Sequence, residues 1–123
     1  MADVERSRSF EDLVVWQRAH TWVLGIYRAT ADFPKSELYG LTQQLRRASV
    51  SVPANIVEGF RRRGLAEKAR FYNIAQGSLA ESKYFLMLAR DLSYGDTTTL
   101  LNAADEVDRM LEAYARRIRP NRG

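Results

Sequence analysis

The chain has 123 residues, of which 46% are hydrophobic and 28% charged, with no cysteine and a net charge of +4. This size suits one domain around one hydrophobic core. The absence of cysteine excludes disulfides, thiolate metal sites and thiol catalysis. No run of about 18 apolar residues occurs, so no membrane span is expected. The opening Met1-Ala2-Asp3-Val4-Glu5-Arg6 lacks the apolar core of a secretory signal, and the expected location is the cytoplasm.

Pro34, Gly64 and Gly95 divide the sequence into four segments of helical length, none with the period-2 alternation of a strand. The spacing predicts helices over 12–32, 37–62, 66–93 and 97–119, with Ser36 and Asp96 as N-caps of the second and fourth. Short connections make consecutive helices antiparallel neighbours. The predicted architecture is therefore all-α, an antiparallel up-down-up-down four-helix bundle spanning 1–123.

The first helix carries two apolar stripes, one through Leu13, Trp16, Val23 and Tyr27 and one through Val15, Ala19, Trp22, Ile26 and Ala29. A corner helix needs only one. Self-association is therefore expected, with Val15, Trp22 and Ile26 at the oligomer interface. The second helix offers a core stripe of Leu38, Leu41, Leu45, Ala48, Val52 and Ile56, with Pro53 predicting a kink. On the third helix the stripe is Phe71, Ile74, Ser78, Phe85, Leu88 and Leu92, with Leu79, Leu86 and Ala89 alongside. The fourth has Leu100, Ala104, Val107, Leu111, Tyr114 and Ile118.

Candidate catalytic groups are few. His20 is the one histidine, and its place beside an apolar stripe marks a packing residue rather than a base. Arg47, Ser51, Asn55 and Glu58 follow helical spacing along one face, and Glu81 on the next helix can meet that line. These five read either as a polar pocket or, preferably, as a structural network fixing helix register or assembly. No phosphate-binding glycine loop or metal-ligand spacing occurs. No catalytic residue, metal or cofactor is expected.

Charge placement says more. Residues 46–70 carry net +5 and 109–123 net +4, whereas 71–108 carry −4 and 1–45 carry −1. The predicted topology gathers Arg61, Arg62, Arg63, Lys68 and Arg70 with Arg116, Arg117 and Arg119 at one end, joined by Arg6 and Arg8. Basic residues complement helix C-termini, but that accounts for one or two per end. An arginine-rich pole suits phosphate contacts, which position RNA or DNA without reading its sequence. An acidic or protein partner, and simple solubilisation, are the alternatives.

Three segments carry a resemblance: Phe10-Glu-Asp-Leu-Val-Val-Trp-Gln-Arg-Ala, Phe33-Pro-Lys-Ser-Glu-Leu-Tyr-Gly-Leu, and the long run from Gln44 to Gly59 that includes Arg47, Ala48, Asn55 and Glu58. With the later Arg70–Glu81, including Ser78, they resemble the bacterial four-helix-bundle proteins named for 23S rRNA intervening sequences, over about residues 10–92. The final helix matches only in character. The resemblance implies an antiparallel bundle assembled as a ring-shaped homopentamer. It also points to related accessory proteins of diversity-generating retroelements, basic pentamers that bind RNA and a reverse transcriptase. It carries over no catalytic residue. The expected function is a non-enzymatic oligomeric binding protein that contacts RNA or DNA. The alternative is a pentameric scaffold that recruits a protein such as a reverse transcriptase.

Overall fold

The computed structural model describes residues 9–118. Four helices make up the fold: α1 (Val14–Thr30), α2 (Leu41–Arg61), α3 (Leu65–Asp91) and α4 (Thr98–Ile118). Short 3-10 turns at Phe10–Asp12 and Lys35–Glu37 precede α1 and α2, and no strand occurs among the described residues. Cross-helix pairs fix the directions. Tyr27 meets Arg46 between α1 and α2, and Ser51 meets Ser78 between α2 and α3. Between α3 and α4, Gln76 bonds Glu112 while Lys83 pairs with Asp105. With Gly59 on Tyr72 as a second contact of α2 with α3, one number rises as the other falls along both α2–α3 and α3–α4, so those neighbours are antiparallel. The short α1–α2 connection gives α1 the same relation to α2. The contact of α1 with α4, through Arg18–Glu106 and the Trp22 indole N–H on the Leu100 carbonyl, closes the expected four-helix bundle.

The core is built from one stripe per helix. Leu45, Val52 and Ile56 of α2 and Ala104 and Leu111 of α4 are fully buried where the spacing put them. Two helices differ. On α3 the buried face is Tyr72, Ala75, Leu79, Ser82, Leu86 and Ala89, while Ile74 and Leu92 are 38% and 46% exposed. Apolar residues surround this helix, so its register follows the space left by α2 and α4 rather than its largest side chains. On α1 both stripes contribute to the subunit's own core. Val15, Trp22 and Ile26 are 0%, 2% and 0% exposed, which corrects their assignment to an oligomer interface: none presents surface to a partner. The wide apolar arc is used twice inside the bundle, once towards α2 and once towards α4.

The α2 N-terminus also departs from expectation. Residues 35–37 form a separate turn, and α2 starts at Leu41 after Gly40 rather than after Ser36. Glu37 takes the capping role, its Oε1 accepting the Leu41 N–H at 3.0 Å. A Cβ on Gly40 would lie 2.7 Å from that oxygen, so glycine makes the cap possible. Leu38, left outside the helix, is 48% exposed. Pro53 sits within an unbroken α2. At the other connection Asp96 Oδ1 accepts the Thr98 N–H at 3.0 Å and caps α4. The left-handed position there is Ser93 (φ 63°) rather than Gly95.

Candidate nucleic-acid interface

The α2–α3 connection and the end of α4 meet at one end of the bundle. Gly59 packs on Tyr72, where a Cβ would come within 2.6 Å of the ring. Tyr72 in turn meets Tyr114 of α4 edge-on, with centroids 6.5 Å apart. Burial between these helices pushes the Tyr72 hydroxyl up to about 12. Three helix ends are thus pinned around two tyrosines, and the basic residues ring that plug.

The side chains fall into three groups. Arg61 and Arg63 are exposed, and neither has a hydrogen-bond or ion-pair partner among the described residues. Arg62, Arg70 and Arg117 lie against rings: Arg62 and Arg70 are 4.7 and 4.9 Å from the Phe71 centroid, and Arg117 is 5.0 Å from that of Tyr114. Arg62 also pairs with Glu58 at 2.7 Å, Arg70 with Glu67 at 3.4 Å and Arg116 with Glu112 at 3.4 Å. All three pairs are largely solvated, so water and salt leave them weak and readily exchanged for phosphate. Arg119, Arg6 and Arg8 lie outside the described residues.

Lys68 belongs to the third group. Its Nζ donates to the carbonyls of Gly59 and Phe60 at 3.1 and 3.0 Å, capping the end of α2 beside the Arg62 N–H, which also bonds the Gly59 carbonyl at 3.2 Å. Burial there holds its ammonium below the ordinary lysine value. The sequence places Lys68 with the nucleic-acid residues, but the structure uses it as a helix cap.

The polar line on α2 comes together only in part. Ser51 Oγ meets Ser78 Oγ at 2.8 Å and accepts from Asn55 Nδ2 at 2.9 Å. These residues tie α2 to α3. Glu58 instead faces the basic pole and pairs with Arg62. Arg47 and Glu81 border an open groove of about 310 Å³ with Gln44, Ala48, Ser51 and Ser78. No ion pair joins the two among the described residues. His20 stacks on Trp16 with ring centroids 5.0 Å apart. Among the described residues, no group of three or more His, Cys, Asp or Glu side chains is arranged to hold a metal.

The sequence reading missed the rings. Tyr114 precedes Arg117 by one helical turn, so that stack was available from spacing, whereas Phe71 adjoins Arg70, and neighbours in a helix do not ordinarily face each other. The Phe71–Arg62 contact needed the turn geometry.

Fold and site together define an all-helical bundle with one basic pole, where Arg62, Arg70 and Arg117 lie on aromatic rings. Compared with known families, residues 11–113 match the 23S rRNA-intervening sequence proteins. The chain belongs to that family. No curated protein matches it significantly.

Proposed function

We propose that the protein is a non-enzymatic, ring-forming homopentamer that holds RNA or DNA through its arginine-rich pole. The observation that carries the nucleic-acid reading is the union at one end of Arg61–Arg63 and Arg70 with Arg116 and Arg117, close to the solvated carboxylates of Glu58 and Glu67. Such a surface binds by releasing counterions from a polyanion. The opposite end carries Asp32, Glu37, Asp91 and Asp96, so one pole attracts phosphate while the other repels it.

Assembly is supported by apolar surface on opposite sides of the bundle. Leu24, Tyr27 and Val50 are 43%, 42% and 40% exposed on the α1/α2 side, with Leu38 and Tyr39 beyond them. Tyr84 and Met87 are 58% and 42% exposed beside Asp108, on the α3/α4 side. Two different patches on opposite sides suit a head-to-tail contact, which closes into a ring; the number five comes from the family resemblance. Light scattering is expected to give a single pentamer, and a monodisperse monomer would remove the assembly from the account. Anisotropy of labelled RNA at low salt tests the ligand.

A second reading rests on Tyr39, 84% exposed beyond the α1/α2 patch, which suits a protein partner. The pentamer would then be a scaffold, as in the accessory proteins of diversity-generating retroelements, and recruit an enzyme such as a reverse transcriptase. Capture of a polymerase that persists after nuclease treatment, together with a reverse-transcriptase gene beside this one, would favour it over the first.

A further inference from the structure

Aromatic rings set among arginines ordinarily give bases a surface to stack on, as in single-strand binders. The rings that the cations of this pole touch are already covered. Phe71 carries two guanidiniums, Tyr114 carries Arg117, and Phe60 has the Lys68 ammonium 5.8 Å from its centroid. Tyr114 is also only 5% exposed, and Phe60 is half-buried. A base reaching any of these rings must displace a cation or open the core.

A guanidinium lying against a ring keeps N–H groups for phosphate oxygens, and a pre-organised fork loses less freedom on binding. Arg62 follows the last residue of α2, whereas Arg70 sits in the second turn of α3. The shared ring draws these two forks together from the two sides of the α2–α3 connection. Arg61 and Arg63, exposed and without partners among the described residues, flank Arg62 in the chain. What results is a cluster of donors whose own rings leave no free face for stacking. A duplex fits this best, because it carries about twice the phosphate density of one strand and keeps its bases stacked internally.

We infer that the pole is built for a double-helical nucleic acid gripped by its phosphates, and that Phe71 is the positioning residue holding Arg62 and Arg70 together. This rests on the nucleic-acid reading above. The test uses the full-length protein and one short RNA sequence, offered single-stranded and as a duplex. The duplex binds more tightly. Phe71→Leu, which keeps an apolar side chain, weakens duplex binding about three- to five-fold, the loss of exposed cation–π stacks. Phe71→Tyr, which restores a ring, binds duplex as the unsubstituted protein does. In an Arg62→Ala/Arg70→Ala background, Phe71→Leu has no further effect, because the residues act as one unit. Equal or tighter single-strand binding overturns the inference. So does a Phe71→Leu loss confined to single strands, or one that persists without the two arginines. Failure of both RNA forms to bind at low salt sinks the nucleic-acid reading itself.

Discussion

The two ends of the bundle use charge in opposite ways. At the acidic end, Glu37 accepts the Leu41 N–H through one carboxylate oxygen and the Tyr94 hydroxyl through the other, at 3.0 and 2.7 Å. This clasp joins the α1–α2 and α3–α4 connections, and Phe33 packs beside Tyr94 with ring centroids 5.6 Å apart. Asp96 caps α4, and the buried Thr97 hydroxyl donates to the Leu86 carbonyl at 2.9 Å. At the basic end, Lys68 alone among the described residues serves the backbone in this way. Its arginines lie over rings, sit in solvated ion pairs or, among the described residues, have no partner. Charges that satisfy a backbone group are accounted for by the fold, whereas a surplus gathered in solvent is available to a ligand.

The sharpest way to break that contrast is to remove the surplus. Replacing Arg61, Arg62 and Arg63 by alanine is expected to weaken RNA binding by up to about 100-fold at low salt, with each lost phosphate contact reducing the log–log salt slope by about 0.9. The melting temperature should stay close to that of the unsubstituted protein, since the ion pair removed is solvated. Unchanged affinity would take this cluster out of the interface.

Gly59→Ala tests the plug beneath the pole. Its Cβ would overlap the Tyr72 ring, and overpacking of this kind costs about 1–3 kcal/mol. Denaturant unfolding is expected to show that loss; an unchanged midpoint would mean the ring moves aside freely. Lys68→Met separates cap from ligand contact. Losing hydrogen bonds to two carbonyls is expected to cost about 1–2 kcal/mol of stability while leaving RNA affinity within about two-fold, because no phosphate contact is removed. A large binding loss with unchanged stability would return Lys68 to the interface.

The acidic end predicts a pH effect without a ligand. The Tyr94 hydroxyl, and then the Leu41 N–H, hold the Glu37 carboxyl below its ordinary value of 4.5. The folded state therefore binds this proton less readily than the unfolded chain. Its stabilisation is full above pH 4.5 and is lost as pH falls through the lowered value. Glu37→Gln is expected to be less stable than the unsubstituted protein near neutrality and to lose less stability on acidification, as followed by helical circular dichroism. An identical acid dependence would remove the clasp from the account. The smallest effect is expected at Ser93, where a left-handed residue closes α3. Ser93→Gly should raise stability by about 0.5–1 kcal/mol, because glycine adopts positive φ without a Cβ penalty.

Much of this was legible in the sequence. Antiparallel order, the stripes of α2 and α4 and the gathering of arginines follow from spacing and connection length. The misreadings arose where local pattern was outweighed by partners distant in sequence. Trp22 reads as spare apolar surface until Leu100 supplies its hydrogen-bond acceptor. The α3 register depends on Tyr72, which needs Gly59 and Tyr114 for its place. Ser36 has the right chemistry for a cap, but Gly40 and Glu37 set the start of α2. Lys68 looks like its basic neighbours until the α2 carbonyls engage it.

The central claim is that the pole holds a nucleic acid through its phosphates. The most direct measurement is RNA affinity across a series of salt concentrations. Tight binding at low salt that falls linearly and steeply on a log–log plot is expected. Binding indifferent to salt, or none at low salt, would contradict the account.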